Sequence, residues 1–163
     1  MAAEIRLARE DELSAAGAVV VDAYRAGGFL DDAEKGYAAK LADTASRARD
    51  AELYVAVSDG TVVGCVTYCP FGSPWGEIAQ PGEGEFRMLG VASSARGQGI
   101  GLALTELCLS RSRDLGYAAV VLSSLPAMTA AHRMYERLGF VRLPERDWEP
   151  QPSIRLWAYR LTL

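Results

Sequence analysis

The stretch Arg96-Gly97-Gln98-Gly99-Ile100-Gly101 lies between a predicted strand and a predicted helix, and three of its six residues are glycine. Alternating glycines allow consecutive backbone N–H groups to point at one place without obstruction by Cβ atoms. The helix that follows adds the unpaired donors and the positive dipole of its N-terminus. This combination predicts a binding site for a phosphate or a pyrophosphate.

Two familiar phosphate-binding loops do not match this stretch. The dinucleotide fingerprint GxGxxG would need a glycine where Leu102 stands, and the P-loop would need a Gly-Lys pair, which the sequence lacks. A tight turn between a strand and a helix, without any ligand, is an alternative, although such a turn rarely needs three glycines. The loop therefore indicates an anion site of another kind.

The rest of the chain alternates strands and helices around this loop. Apolar periodicity and turn signals predict the order β-α-α-β-β-β-α-β-α-β-β. A strand at 85–91 precedes the loop, a helix at 100–115 follows it, and a continuous apolar strand runs over 117–122. Such a unit requires a right-handed crossover between parallel strands, whereas the hairpin around 58–61 is antiparallel. We therefore expect one α/β domain with a mixed sheet of about six to seven strands and about four helices.

The remaining elements follow from the same patterns. They are a strand at 5–7, helices at 13–24 and about 31–49, strands at 53–57 and 62–68, a loop at 70–84, a helix at 127–138, and strands at 140–143 and 155–163. Asp11 is the expected cap of the first helix. The predicted domain extends from Glu4 to Leu163.

Composition limits the classes of function. The 163 residues, 50% of them hydrophobic, suffice for one domain with its own core, and a net charge of −4 argues against a nucleic-acid-binding surface. The start lacks an apolar signal region and no apolar run is long enough to span a membrane, so we expect a cytoplasmic protein. Three cysteines and the single histidine, His132, do not make a zinc cage, so no metal is expected.

Three segments together carry a resemblance to a known family. Arg96-x-x-Gly99-x-Gly101 resembles the [Q/R]xxGx[G/A] motif of the GCN5-related N-acetyltransferases, the GNAT superfamily. The strand Phe86-Arg87-Met88-Leu89-Gly90-Val91 resembles the family strand before that motif, and Ala131 to Phe140 resembles the later block AxxxYxxxGF. The order of elements matches as well, so the resemblance covers the chain from about Glu4 onward. It implies a sheet with a splayed edge that binds acyl-CoA.

The resemblance implies which residues bind acetyl-CoA. Leu89 and Val91 would pair through their backbone with the pantetheine arm, and Gly90 is the expected bulge that opens this strand edge. Arg96 would add positive charge near a phosphate, or it is an ordinary surface arginine. The pyrophosphate would be cradled by the residues that follow, which are Gly97, Gln98, Gly99, Ile100, Gly101 and Leu102.

The resemblance also implies two catalytic residues. An acceptor amine with a pKa of about 10 must lose a proton before it attacks a thioester, and the departing thiolate benefits from a proton donor. Tyr135 matches the tyrosine of the AxxxYxxxGF block and is the candidate donor, although its place on an apolar stripe also suits a core tyrosine. Glu85 is the candidate general base, with Glu83 or direct proton loss to water as alternatives. A backbone N–H near Leu89 would hold the oxyanion.

The acceptor site is expected opposite the cofactor, between the first two helices, the 70–84 loop and the C-terminal segment. Aromatic residues of these segments would line it, namely Tyr24, Phe29, Tyr37 and Trp75. Acidic residues there would attract a cationic amine or are solvated loop residues, namely Asp31, Asp32, Glu77 and Asp147. His132 lies off the apolar stripe of its helix and is expected to be exposed. Met128 stands where the family often has an asparagine, so that a cofactor hydrogen bond is lost or supplied elsewhere.

The sequence therefore predicts an enzyme that transfers an acetyl group from acetyl-CoA to a primary amine by direct attack. One alternative is a module that binds acyl-CoA as a sensor without turnover, and another is an unrelated nucleotide-binding α/β protein. The expected partners are acetyl-CoA and an unidentified amine, with no nucleic acid and no membrane. A homodimer is left open.

Overall fold

Apolar runs of the sequence form the strands of one mixed sheet with helices on both faces. The structure is a computed structural model and describes residues 2–30 and 35–163. The strands are β1 (Glu4–Leu7), β2 (Glu52–Ser58), β3 (Thr61–Cys69), β4 (Glu83–Val91), β5 (Ala119–Ser124), β6 (Val141–Arg142), β7 (Trp148–Gln151) and β8 (Ile154–Thr162). The helices are α1 (Leu13–Ala26), α2 (Lys35–Ala42), α3 (Thr44–Asp50), α4 (Ile100–Asp114) and α5 (Thr129–Leu138).

The strand order is β1-β2-β3-β4-β5-β8-β6, and β7 pairs with β8 beside this path. Strands β4 and β5 run parallel with α4 between them in sequence, which confirms the predicted strand–helix–strand unit. The other strand pairs are antiparallel. The predicted α/β class and mixed sheet are confirmed. The described residues form eight strands and five helices, where about six to seven strands and about four helices are predicted.

The additional helix arises because the predicted helix at 31–49 is divided. Its first four residues lie outside the described residues, and α2 ends at Ala42. The Asp43 side chain accepts a hydrogen bond from the Ser46 N–H (3.1 Å) and caps α3. The fully buried Arg47 of α3 donates to the Leu41 carbonyl (2.9 Å) and to the Thr67 hydroxyl (2.8 Å), so it ties the end of α2 to the sheet.

One further local prediction is wrong, and one short strand is missing from the predicted elements. Asp11 does not cap α1, because residues Glu10–Glu12 form a 3₁₀ turn before this helix. The Glu12 carboxylate accepts a hydrogen bond from the Arg9 N–H (2.8 Å). The strand β7 was not predicted, since its sequence, Trp-Glu-Pro-Gln, contains a proline and lacks an alternating apolar pattern.

A bulge lies in β4, at a different residue from the one expected. Thr67 of β3 pairs with Arg87 and Cys65 pairs with Gly90, so β4 uses one residue more than β3 over this interval. Met88 within the interval has φ +56°, a conformation that side-chain-bearing residues rarely adopt. The prediction of Gly90 as the bulge is therefore wrong. Gly90 instead leaves room for α1, because a Cβ there would lie 3.0 Å from the Val20 Cα.

Replacing Gly90 by alanine is expected to destabilise the fold by about 1–3 kcal/mol, since the added methyl group overpacks the contact between β4 and α1. Urea denaturation measures the change in the free energy of unfolding. Gly36→Ala is the control, because no atom of the described residues lies within 4 Å of a Cβ at Gly36. A Gly90→Ala protein as stable as the wild type would contradict this packing argument.

Strands β4 and β5 separate after a short paired region. Residues 83–85 of β4 pair with residues 119–121 of β5, and no pairing between the two strands follows. Strand β5 continues to Ser124, and among the described strands this last part of β5 pairs only with β8, on the side away from β4. The sheet therefore opens between the C-terminal halves of β4 and β5, which confirms the predicted splay. Within the described residues, no helix has the length and hydropathy needed to cross a membrane.

Candidate active site

The glycine loop presents a group of free backbone donors at the start of α4. Gly97 and Gly99 both have φ +78°, which glycine adopts without strain. The first hydrogen bond of the helix runs from the Ala103 N–H to the Gly99 carbonyl (2.9 Å). Within the described chain, the N–H groups of residues 97–102 donate to no acceptor. They and the N-terminal dipole of α4 are therefore available to bind an anion.

A cleft of about 670 Å³, the α4–α5 cleft, opens beside these donors. Seven of the ten predicted cofactor residues line it, namely Val91, Arg96, Gly97, Gly99, Ile100, Gly101 and Leu102. Gln98 is exposed within the loop, whereas Leu89 and Gly90 lie along β4 outside the lining. Arg137 of α5 also lines the cleft and adds a second guanidinium that the sequence did not single out.

A second cavity of about 430 Å³, the central cavity, reaches the place where β4 and β5 part. Three of the four aromatic residues that the sequence predicts to lie together line its helical side, namely Tyr24, Phe29 and Tyr37. On the strand side it includes the bulge residue Met88 and the β5 residue Ser124.

The fourth expected aromatic residue, Trp75, is outside the cavity lining. The guanidinium carbons of Arg47 and Arg87 lie 5.8 and 5.7 Å from the centre of its ring. Met128, at the position of the family's asparagine, lines the cavity, and its sulfur lies 3.6 Å from the Ser124 hydroxyl.

The central cavity contains an ion pair. Glu77 of the loop between β3 and β4 lies 3.2 Å from Arg87, and the two side chains are 21% and 16% exposed. Burial raises the pKa of Glu77, and the neighbouring Arg87 guanidinium opposes that shift only in part. Lys40 of α2 stands at the exposed rim of the same cavity. The amino-acid sequence alone does not distinguish Glu77 from a solvated loop residue.

Glu85, the predicted base, is fully buried and does not line the central cavity. Its Oε1 accepts three backbone hydrogen bonds, from the N–H groups of Glu77 (2.9 Å), Ile78 (3.0 Å) and Ala79 (3.0 Å). Its Oε2 is buried without a partner among the described residues. Burial raises the pKa of Glu85, although the three N–H donors act in the opposite direction. Glu85 therefore holds the loop that carries Glu77.

Glu83, the alternative base, is the first residue of β4 and is held by two arginines. Its carboxylate accepts hydrogen bonds from Arg146 (2.6 Å), from Arg160 (2.9 Å) and from the Gln80 N–H (2.9 Å). Burial alone would raise its pKa, but these donors lower the pKa below the ordinary value. A carboxylate so firmly paired is a poor proton acceptor.

Tyr135, the predicted acid, lies on α5 next to the α4–α5 cleft, which its neighbour Met134 lines. Its ring is 5% exposed, with the rings of Phe86, Phe140 and Tyr159 at 5.9, 5.7 and 6.2 Å between centroids. The hydroxyl makes no hydrogen bond to a described residue. Burial raises the pKa of Tyr135, so the phenol keeps its proton at neutral pH.

His132 is buried, at 6% exposure, and the prediction of an exposed residue is wrong. Its ring stacks on Trp157 (5.6 Å) and lies 5.2 Å from Tyr159, both on β8. Its Nε2 lies 3.0 Å from the Ser124 hydroxyl, and burial lowers its pKa. Two aromatic side chains of β8 thus bury a face of α5 that the sequence of α5 predicts to be polar and exposed. In the described chain, no group of three potential ligand side chains could hold a metal ion.

Solved structures of acetyltransferases have the same fold. The PaiA N-acetyltransferase from Thermoplasma acidophilum in complex with coenzyme A matches with a TM-score of 0.78, at 14% identity over 100% of both chains. An acetyltransferase of the GNAT family from Staphylococcus aureus Mu50 matches with a TM-score of 0.77, at 12% identity over 99% of both chains. The chain thus has the fold class of these acetyltransferases.

The sequence narrows this class to a family. Residues 19–140 match the model of the acetyltransferase (GNAT) family, and the chain belongs to that family. An uncharacterized N-acetyltransferase of Schizosaccharomyces pombe is 33% identical over 95 residues, which cover 58% of this chain and 54% of the relative. The mycothiol acetyltransferase of Thermomonospora curvata is 36% identical over 121 residues, which cover 70% of this chain and 37% of the relative. The matches thus span about half or less of the relatives' own length.

Proposed function

We propose that this protein transfers an acetyl group from acetyl-CoA to a primary amine by direct attack of the amine on the thioester. The observation that carries the proposal is the set of free N–H groups at residues 97–102, which open into the α4–α5 cleft beside the splayed strand β4. Such donors at a helix N-terminus suit the pyrophosphate of coenzyme A. They need no side-chain charge, so an acidic protein can bind this anion.

The splay offers the acyl group a path to the acceptor. From Phe86 onward, β4 has no partner on the side of β5, so the backbone of Leu89 and Val91 can pair with the pantetheine arm. The acyl group would then lie near the bulge at Met88, where the central cavity begins. A backbone N–H near Leu89 would stabilise the oxyanion of the tetrahedral intermediate.

Three proton transfers complete the proposed reaction. The acceptor ammonium loses a proton to a glutamate or to water, and Glu85 is the base that the family resemblance implies. The free amine attacks the carbonyl carbon, the C–S bond breaks, and Tyr135 protonates the departing thiolate. The second proton of the nitrogen is released as the amide forms and replaces, by way of solvent, the proton that Tyr135 gave. No covalent enzyme intermediate is needed.

Acetyl-CoA at 100 times its dissociation constant is expected to stabilise the protein by about 2.7 kcal/mol, which raises Tm by about 5–10 °C for a chain of this size. Thermal denaturation with acetyl-CoA, NAD and ATP in parallel measures this shift. An equal shift with NAD or ATP would contradict a site that is specific for acetyl-CoA. A shift with acetyl-CoA but no thiol release on adding amines would favour the sensor.

A further inference from the structure

The central cavity holds a single carboxylate among its described lining residues, that of Glu77. The other charged side chains of the lining are cationic, namely Lys40, Arg87 and Arg155. The rest of the wall on the helical side is aromatic. An amine that enters this cavity as an ammonium ion therefore finds one described group to neutralise it.

The Glu77 carboxylate is held in place from two directions. Its own N–H donates to Glu85 (2.9 Å), and two further N–H groups of the same turn donate to that oxygen. Its Oε1 lies 3.2 Å from Arg87, which in turn donates to the Trp75 carbonyl (3.1 Å) and lies over the Trp75 ring. Its Oε2 makes no hydrogen bond to a described residue. A carboxylate fixed in this way keeps one oxygen available for a ligand.

The position of the pair on β4 connects it with the reacting atoms. Arg87 is adjacent to the bulge residue Met88, in the part of β4 that no longer pairs with β5, and both line the central cavity. Glu85 lies on the same face of β4 as Arg87, two residues earlier, and is covered by the turn that it organises. Glu77 and the open edge of β4 thus border one cavity, whereas Glu85 lies outside the lining of that cavity.

We propose that Glu77 binds the ammonium group of the acceptor and takes its proton, and that Glu85 is a positioning residue that orders the Glu77 turn. This inference rests on the proposed acetyl transfer. The proton passes from the ammonium nitrogen to the Glu77 carboxylate and then to solvent, and the nitrogen lone pair so freed forms the bond to the acyl carbon. The acceptor is a primary amine on an apolar or aromatic chain, because Tyr24, Phe29 and Tyr37 form the opposing wall.

The groups that face Glu77 set the direction of the pH dependence. Burial and the nearby Glu85 raise its pKa, whereas Arg87 from β4 and Lys40 from α2 lower it, and the net shift is upward. Tyr37 of α2 stays neutral, because burial raises its own pKa. Glu77 accepts a proton only when ionised, so kcat/KM for the amine falls as the pH drops through this raised pKa.

The test measures thiol release from acetyl-CoA against pH with 2-phenylethylamine, hexylamine and spermidine as acceptors. Glu77→Gln is expected to lower kcat/KM for the amine by about 100-fold or more and to remove the acidic limb of the profile. Glu77→Asp should restore the limb at a reduced rate. Glu85→Gln should reduce the rate but keep the limb. Glu149→Gln, at an exposed carboxylate outside the lining, should change neither.

The outcomes separate this inference from the proposed function. Loss of the acidic limb in Glu85→Gln but not in Glu77→Gln would overturn the assignment and make Glu85 the base. An active wild type with an equally active Glu77→Gln would also overturn it while leaving acetyl transfer intact. A wild type that releases no thiol with any of the three amines would overturn both. The acetyl-CoA-dependent rise in Tm shows that each variant is folded.

Discussion

Replacing Tyr135 by phenylalanine is expected to lower kcat by about 100-fold or more and to leave the dissociation constant of acetyl-CoA nearly unchanged. The phenol lies within an aromatic cluster that fixes its ring, and its hydroxyl makes no hydrogen bond to a described residue that would need it for stability. Burial raises the pKa of Tyr135, so the phenol is protonated at neutral pH, as the proposed role requires. Steady-state thiol release and acetyl-CoA titration measure the two quantities.

Tyr159→Phe is the matched control for this prediction. Tyr159 belongs to the same cluster and is 2% exposed, with its ring 6.2 Å from that of Tyr135. Loss of this hydroxyl should leave kcat within a factor of about three. A Tyr135→Phe protein with the kcat of the wild type would contradict the proton-donor role and would show that Tyr135 is a core tyrosine.

Replacing Gly101 by leucine is expected to weaken acetyl-CoA binding by about 100-fold or more. A Cβ at Gly101 would lie 3.7 Å from Val91 and 3.8 Å from Met134, both of which line the α4–α5 cleft, so a larger side chain fills the space beside the free N–H groups. Losing two charge-assisted hydrogen bonds, worth about 1.5–3 kcal/mol each, is sufficient for this effect. Calorimetric titration with coenzyme A measures the dissociation constant.

Gly36→Leu is the control for the effect of introducing a leucine at the second residue of a helix. Gly36 is also the second residue of a helix, α2, and a Cβ there lies within 4 Å of no atom in the part of the chain that the structure describes. Its coenzyme A affinity should equal that of the wild type. Tight binding of coenzyme A by a folded Gly101→Leu protein would show that the pyrophosphate does not lie in the α4–α5 cleft.

The parts of the fold that the sequence predicts are those specified by local signals. The three glycines of residues 97–101 and the apolar strand that follows α4 act through backbone conformation and burial, and both lie where they were expected. The division between α2 and α3 was not predicted, because it depends on Arg47 reaching the Thr67 hydroxyl of a distant strand. The bulge was assigned to Gly90 because only a glycine signals a bulge locally, whereas tertiary packing holds Met88 at φ +56°.

The candidate site divides in the same way. The proposed pyrophosphate site is formed by backbone N–H groups of residues 97–102, so the glycines that free these groups reveal it in the sequence. Glu77 is one glutamate in a loop of glycines and prolines, and only its hydrogen bond to Glu85 and its contact with Arg87 distinguish it from a solvated residue. His132 was expected to be exposed because the aromatic side chains that bury it come from β8, some 25 residues later in the sequence.

The central claim is that this protein acetylates a primary amine with acetyl-CoA, and mass-spectrometric quantification of both products tests it most directly. The wild-type protein, incubated with acetyl-CoA and the three amines, should form an N-acetylated amine and free coenzyme A in equal amounts. A folded protein that acetyl-CoA stabilises, but that forms no acetylated amine above the uncatalysed background, would contradict the account.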